Sequence, residues 1–291
     1  MQCTKNVKLS FCRCLLSFFA ITLYANSSLA SEWDPRTDLK LGLNGRTYPA
    51  GAQIAASLGI GQALWGDPDG KTEKGKQNWK YGYTRLAING ATSVVVNRIG
   101  MELQFYPISI LGFGVGYDRG VRNFTPKAID CSNFECNGTI TRKFLRMQLL
   151  AASHGLVLSL TGRYEELRAP DANLPFFDEM TLLVGQSAGE QVLSWTPVLL
   201  YGISDQWQAG AAILYNHALD TGGDSLLYGP VVGYKPCPDW TILSGIGLNR
   251  SPVVHSALAG FFVIQWMFKD GLALTDRIAS GALKPILQSD I

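Results

Sequence analysis

From residue 98 to residue 105 every second position is apolar: Ile99, Met101, Leu103 and Phe105 interleave with Arg98, Gly100, Glu102 and Gln104. A period of two sends alternate side chains to opposite faces of an extended chain, so the stretch predicts a β-strand with one apolar and one polar face. The pattern returns at once, with Leu111, Phe113, Val115 and Tyr117 against Gly112, Gly114, Gly116 and Asp118. Near the start of the chain, Leu39, Leu41 and Leu43 alternate with Asp38, Lys40, Gly42, Asn44 and Arg46. Further on, Leu145, Met147 and Leu149 flank Arg146 and Gln148, and Leu156, Leu158 and Leu160 lead into Thr161, Arg163 and Glu165. The expected strands are 36–46, 51–64, 79–90, 93–106, 108–119, 139–151, 155–167, 190–202, 207–217, 224–235, 239–249 and 256–268, twelve in all. Residues 65–78 form a long link on the side where links are otherwise short, and 179–189 has strand character although it is placed in a loop. Ten or fourteen strands therefore stay open.

These strands exceed the roughly five or six residues usual in soluble sheets and match the length of about ten that a tilted strand needs to cross a bilayer core. Tight links at 105–109, 153–155, 202–206 and 235–239 alternate with longer polar pieces at 120–138, 168–189, 218–223 and 250–255. One rim of turns and one of loops is the layout of a membrane barrel, and a β-sandwich, the architectural rival, gives no reason for it. Aromatic residues gather at strand ends, among them Trp79, Tyr81 and Tyr83, Phe105 and Tyr106, Trp207, Tyr234, Trp240, Trp266 and Phe268, and are expected to form interfacial girdles.

The N-terminus carries Lys5, Lys8 and Arg13, an apolar run from Cys14 to Ala25, and small residues at Ser28 and Ala30. That is the layout of a secretory signal peptide covering 1–30; a retained helix is the alternative, but the run is short of the roughly 20 residues a span needs. Removing 1–30 leaves 22 Lys+Arg against 23 Asp+Glu, a balance with no electrostatic handle for nucleic acid. Of the cysteines past the signal, Cys131 and Cys136 are spaced to close a small loop in an oxidising compartment, and Cys237 is left over. No histidine lies near the pair, so no metal site and no cofactor is expected.

With the signal, the repeated dyads and turn sequences such as LLYGISDQWQAGAAILY (199–215) together, the chain resembles the Gram-negative outer-membrane β-barrel class along its mature length. The resemblance implies an all-β, antiparallel transmembrane barrel over 31–268 and an outer-membrane location. It also implies insertion into lipid by the outer-membrane assembly machinery and a periplasmic position for both ends, with 269–291 as a periplasmic tail. Such barrels commonly end on a terminal aromatic, whereas here the tail follows Phe268.

Three functions compete. Lipid hydrolases of this class place His and Ser two residues apart on one face of a strand, so that the hydroxyl can pass its proton to imidazole. Two residues beyond His154, His217 and His255 stand Leu156, Leu219 and Ala257, so that dyad is absent, and the histidines are expected in turns and loops. A pore for small hydrophilic solutes would use the inward charges, Lys40, Arg46, Arg98, Glu102, Asp118, Arg146, Arg163 and Glu165, whose slight basic excess favours anions. The same charges also suit a closed barrel in which they merely pair across the lumen. The third function is a structural or adhesin-type barrel acting through the 120–138 loop. Non-enzymatic passage of solutes is the leading expectation.

Overall fold

The computed structural model describes residues 34–48, 50–70, 79–93, 95–122, 131, 133–153, 155–169, 174–237, 239–269 and 271–273. The signal segment 1–30, His154 and the tail beyond residue 273 lie outside the described residues. Alternating sequence becomes strand throughout: β1 (Arg36–Thr47), β2 (Ala50–Trp65), β3 (Gly82–Ser93), β4 (Val96–Ile108), β5 (Leu111–Arg122), β6 (Gly138–Ser153) and β7 (Leu156–Arg168). After a short pair, β8 (Phe176–Asp178) and β9 (Leu183–Gly185), the wall resumes with β10 (Glu190–Gly202), β11 (Trp207–Ala218), β12 (Asp224–Tyr234), β13 (Trp240–Ser251) and β14 (Val254–Lys269). The twelve long strands close an antiparallel barrel, sealed where β1 pairs with β14 from Leu39↔Lys269 to Arg46↔Phe261. Closure leaves no edge strand with unpaired backbone groups, the condition for a sheet to sit in hydrocarbon.

Nine expected strands lie within a few residues of their observed places, but β3, β4 and β5 each begin three residues later than 79, 93 and 108. For the β4–β5 turn the shift traces to Pro107. Reading FYPIS as a turn assumed that proline ends the strand; instead Pro107 stays within β4, at a ladder irregularity between Phe105 and Ile108, and the turn is Ser109–Ile110. A bulge spares the ladder the hydrogen bond that proline cannot donate. The 250–255 stretch is likewise a two-residue turn at Pro252–Val253 and not a loop.

The exterior carries the apolar positions, with Ile99 and Leu258 each 64% exposed and Ile54, Leu58, Ile88 and Met101 all above half. The interior carries the opposite set, including Asp38 (1%) and Arg142 (2%). Such an inversion is stable only if lipid, not water, surrounds the wall. At the rim where β1 begins and β14 ends, called here the terminal rim, Trp207 stacks on Tyr234 at 4.4 Å and Trp240 on Trp266 at 5.2 Å, as a girdle. Tyr81, Tyr83 and Tyr106 do not join it. They point inward, buried, with the Tyr83 and Tyr106 rings stacked at 4.3 Å. β14 runs to Lys269, after which Leu272 and Ala273 are buried against this tyrosine cluster, and Tyr81 Oη donates to the Leu272 carbonyl at 2.6 Å.

At the opposite, loop rim the 174–189 segment does not stay outside. It folds into the barrel mouth as the β8–β9 hairpin, burying Phe176 and Leu183 against Ile140, Leu167, Val192 and Ala218 of the wall. The neighbouring loop supports it: Cys131 and Cys136 form a disulfide, Glu135 N–H donates to the Pro175 carbonyl at 2.7 Å, and Phe177 N–H donates to the Glu135 carbonyl at 3.0 Å. Leu182, at the hairpin tip, holds φ 59, a left-handed conformation costly for a residue with a Cβ. Its side chain is buried with Phe177 and Cys136, and that packing holds the turn in place.

Candidate functional site in the lumen

Strand parity decides which side chains reach the interior, and all eight sequence candidates are there. Lys40, Arg98, Glu102, Asp118, Arg146 and Arg163 line a cavity of about 600 Å³ between the hairpin and the tyrosine floor. Glu165 is buried beside Arg163, and Arg46 donates to the Glu179 carbonyl of the hairpin at 2.9 Å. The glycines of β5 do not widen this space. A Cβ on Gly112, Gly114 or Gly116 would overlap Tyr106, Glu102 or Phe144 respectively, so these positions are seats for neighbouring side chains.

The charges fall into linked groups. Near the floor, Arg85 Nε donates to Asp38 at 2.7 Å, with Gln104 and Ser57 at the other guanidinium nitrogens at 3.4 and 3.3 Å. Midway, Arg146 meets Glu102 at 2.8 Å. Higher up, Arg163 lies 3.3 Å from both Asp118 and Glu165 and sits 3.8 Å from the centre of the Phe144 ring. Arg142 is the hub: it donates to Asp118 at 3.0 Å and to Asp178 of the hairpin, with Glu165 3.9 Å away. Strand register makes these pairs possible, since Asp118 stands directly opposite Arg142 in the β5–β6 ladder, and Glu102 of β4 reaches Arg146 of β6 over Gly114 of the strand between them; Arg146 also faces Arg163 across β6–β7, and the carboxylates on either side offset that like-charge contact. Buried charges persist when each finds such a partner.

The hairpin is tied to the same side of the barrel. Arg122 donates to the carbonyls of Glu135, Asn137 and Phe177, and lies 3.7 Å from the Glu179 carboxylate; Arg98 donates to the Met180 sulfur. Two neighbouring hairpin carboxyls are pushed in opposite directions. Burial alone would raise Asp178, but Arg142 and the hydrogen bonds from Thr181 hold it below the usual carboxylate range. Burial, reinforced by the nearby Asp178 charge, pushes Glu179 up to about 7 despite Arg122. A carboxyl poised there changes charge near neutrality.

Arg85, Arg122 and Arg142 were not among the sequence candidates, although Arg142 lies four residues before Arg146 on the same strand face, so its parity was a usable signal. Asp178 and Glu179 carried none, because their position depends on a loop folding back. Of the histidines, His217 lies in β11 and not in a turn; its Nδ1 is 2.7 Å from Asp224 Oδ1, which also accepts from Tyr215 Oη at 2.7 Å. The side chain of His255 is outside the described residues. Among the described residues no cluster of His, Cys, Asp and Glu is arranged to hold a metal ion.

No family of sequences matches the chain, and no curated protein does. Among solved structures it is similar to the NanC porin, at 12% identity over 78% of this chain and 98% of that one, with a TM-score of 0.42. It is also similar to the KdgM porin, at 11% identity over 79% and 99%, TM-score 0.41. A third is the β domain of the Bordetella autotransporter Brka, at 10% identity over 82% and 100%, TM-score 0.40. The chain's own geometry, an edgeless sheet with its apolar residues outside and its charges inside, is that of an outer-membrane β-barrel of twelve strands.

Proposed function

We propose that the protein is a passive channel for small, predominantly anionic solutes, captured with its mouth closed by the β8–β9 hairpin. The observation that carries this reading is the cavity of about 600 Å³ left between hairpin and floor, whose lining holds six Lys and Arg side chains against two carboxylates. A barrel serving only as a scaffold has no need to keep such a volume, whereas a conduit needs a wet path whose charge lowers the entry cost of its solute. The loop rim faces the outside and the terminal rim the periplasm; residues 1–30 direct export and are removed, and 269–291 stay on the periplasmic side. Folding into the bilayer is the work of the outer-membrane assembly machinery, guided by β14 with Phe268 near its end.

Planar-bilayer recording tests this. The intact protein should give small, infrequent steps, and replacement of 176–185 by a short Gly-Ser link should give sustained, anion-selective ones whose selectivity falls when Arg98 and Arg146 are changed to Gln. Silence from both proteins, with insertion verified, overturns the channel and leaves a structural barrel.

A further inference from the structure

Among the described residues, charge returns to the outward face of the wall near the loop rim in two places. Across β11–β13 it takes the form of His217, Asp224 and Arg250, where Asp224 accepts from Tyr215 and lies against His217. Across β5–β7 it is Arg119, Lys143, Glu166 and Arg168, three cations against one carboxylate. Outward positions at the same rim on β1–β4, Gly45, Ala52, Thr92 and Asn97 among them, are uncharged. The β5–β7 cations are therefore a local patch and not part of a ring of anchors.

Glu166 is committed to Arg168, accepting from its Nε at 2.9 Å. Arg119 and Lys143 are both exposed, and among the described residues no carboxylate lies within ion-pair distance of either, although Glu166 stands opposite Lys143 in the β6–β7 ladder. Register brings the two cations together. Thr141 is opposite Arg119, and Lys143 follows two residues along β6 on the same face, so the pair lies diagonally across one ladder, about 7–8 Å apart. Arg168, opposite Thr141 on the other side, is the second diagonal neighbour of Lys143. Side chains of this length converge on one group at that spacing.

Tyrosines mark the depth. Tyr117, directly opposite Lys143, is 41% exposed, and Tyr164, Tyr215 and Tyr228 take outward positions a few residues below the same rim. A belt of amphipathic rings lies where hydrocarbon gives way to headgroups. Immediately below it Leu103, Val115 and Leu145 form one cross-strand row, each exposed by 40% or more. Cations at the interface cost little, but two of them side by side repel until an anion joins them. A phosphomonoester, with a charge of about −1.5 to −2 at pH 7, balances the pair, whereas a phosphodiester leaves one cation over. The guanidinium supplies parallel donors to phosphate oxygens and the ammonium a point charge.

We propose that this patch binds a lipid of the leaflet at the loop rim whose headgroup carries a phosphomonoester, the phosphate between Arg119 and Lys143 and the acyl chains along Leu103, Val115 and Leu145. The site needs the barrel and its lipid-facing wall, and is independent of whether the lumen conducts.

Native mass spectrometry of the full-length protein released from detergent micelles tests it with three probes sharing two oleoyl chains: dioleoylphosphatidate, dioleoylphosphatidylglycerol and dioleoylglycerol. The phosphatidate should bind about tenfold more tightly than the phosphatidylglycerol, and the uncharged lipid least. Arg119→Gln with Lys143→Gln should bring phosphatidate down to the level of phosphatidylglycerol, each single change giving part of the loss, while Lys143→Arg retains binding and Arg250→Gln, in the other patch, leaves it unchanged. Folding of every variant is checked by heat-modifiable migration. Glycerol 3-phosphate, the headgroup without chains, should not displace the phosphatidate. Equal binding of phosphatidate and phosphatidylglycerol overturns the proposal, as does undiminished binding in the double variant. Displacement by glycerol 3-phosphate as effective as by phosphatidate also overturns it, because the patch would then be a site for free phosphates and not for a lipid.

Discussion

One side of the lumen, β1 with β3–β7, is a lattice of ion pairs, and the other, β10–β14, mixes apolar side chains with mostly neutral polar ones such as Gln208, Thr241, Asn249 and Gln265. Against the first side the hairpin is held by Arg142 on Asp178, Arg122 on three carbonyls, Arg46 on the Glu179 carbonyl and Arg98 on Met180. Against the second its polar ties are neutral and longer, Asn216 to the Thr181 carbonyl and Thr221 to the Val184 carbonyl, each at 3.3 Å. Buried charge-assisted bonds fix geometry, while apolar contact is non-directional and tolerates sliding. The difference teaches where a closed mouth would open. The charged, directional ties of the hairpin all lie on the first wall, whereas against β10 and β11 it is held by apolar packing on Val192 and Ala218 and by neutral hydrogen bonds, so a mouth that opened would part there first.

Removing the hub should break this asymmetry most severely. Arg142→Ala leaves Asp178 and Glu165 buried without their shared cation, and loss of one partner of a buried pair costs about 3–5 kcal/mol. Protease cutting or hydrogen exchange within 176–185 should rise accordingly, while detergent-resistant barrel migration persists. Arg122→Ala should loosen the same hairpin less, by about 1.5–3 kcal/mol, since it strips charged donors from carbonyls and the only acid it leaves, Glu179 at 3.7 Å, can take up a proton near neutrality. Acidity should act next. Glu179 is raised to about 7 in the docked hairpin and reverts to about 4.5 when freed, so the docked form binds the proton more tightly. Docking is therefore strongest in mild acid and weakens as pH climbs through about 7, which exchange rates of 176–185 measured at pH 6 and pH 8 would show; Glu179→Gln should flatten that dependence. On the opposite wall Leu214→Gln should shift urea unfolding by no more than about 0.5 kcal/mol, because the side chain already meets lumen water.

Much of this architecture is written in alternation. Positions 98–105 show their two faces without ambiguity, and the same parity that places Arg98 and Glu102 inside would have placed Arg85 and Arg142 there too. Where local rules compete, reading fails: Pro107 looked like a strand end and was absorbed by a bulge, moving the β4–β5 turn to Ser109–Ile110. Tyr81, Tyr83 and Tyr106 show a different limit. Their position near strand ends is what a girdle requires, but parity points them inward, and parity decides. The site's outer half was not legible at all. Nothing in LPFFDEMTLLVG states that this loop turns into the mouth, since its anchor residues Arg46, Arg122 and Arg142 lie between 36 and 132 positions away from Asp178. Such long-range pairing is set by the closed barrel and not by the segment itself.

The central claim is that adjacent residues of one strand meet lipid and water in turn, and Ser57 and Leu58 of β2 test it most directly. Leu58 is 54% exposed on the outer face and Ser57 borders the cavity. Nitroxide labels placed singly at the two positions in bilayers should differ sharply. The label at 57 should show strong deuterium modulation from D2O and little collision with oxygen, and the label at 58 the reverse. Equal water contact at both sites, or contact only at 58, would contradict a barrel whose apolar face is turned to acyl chains.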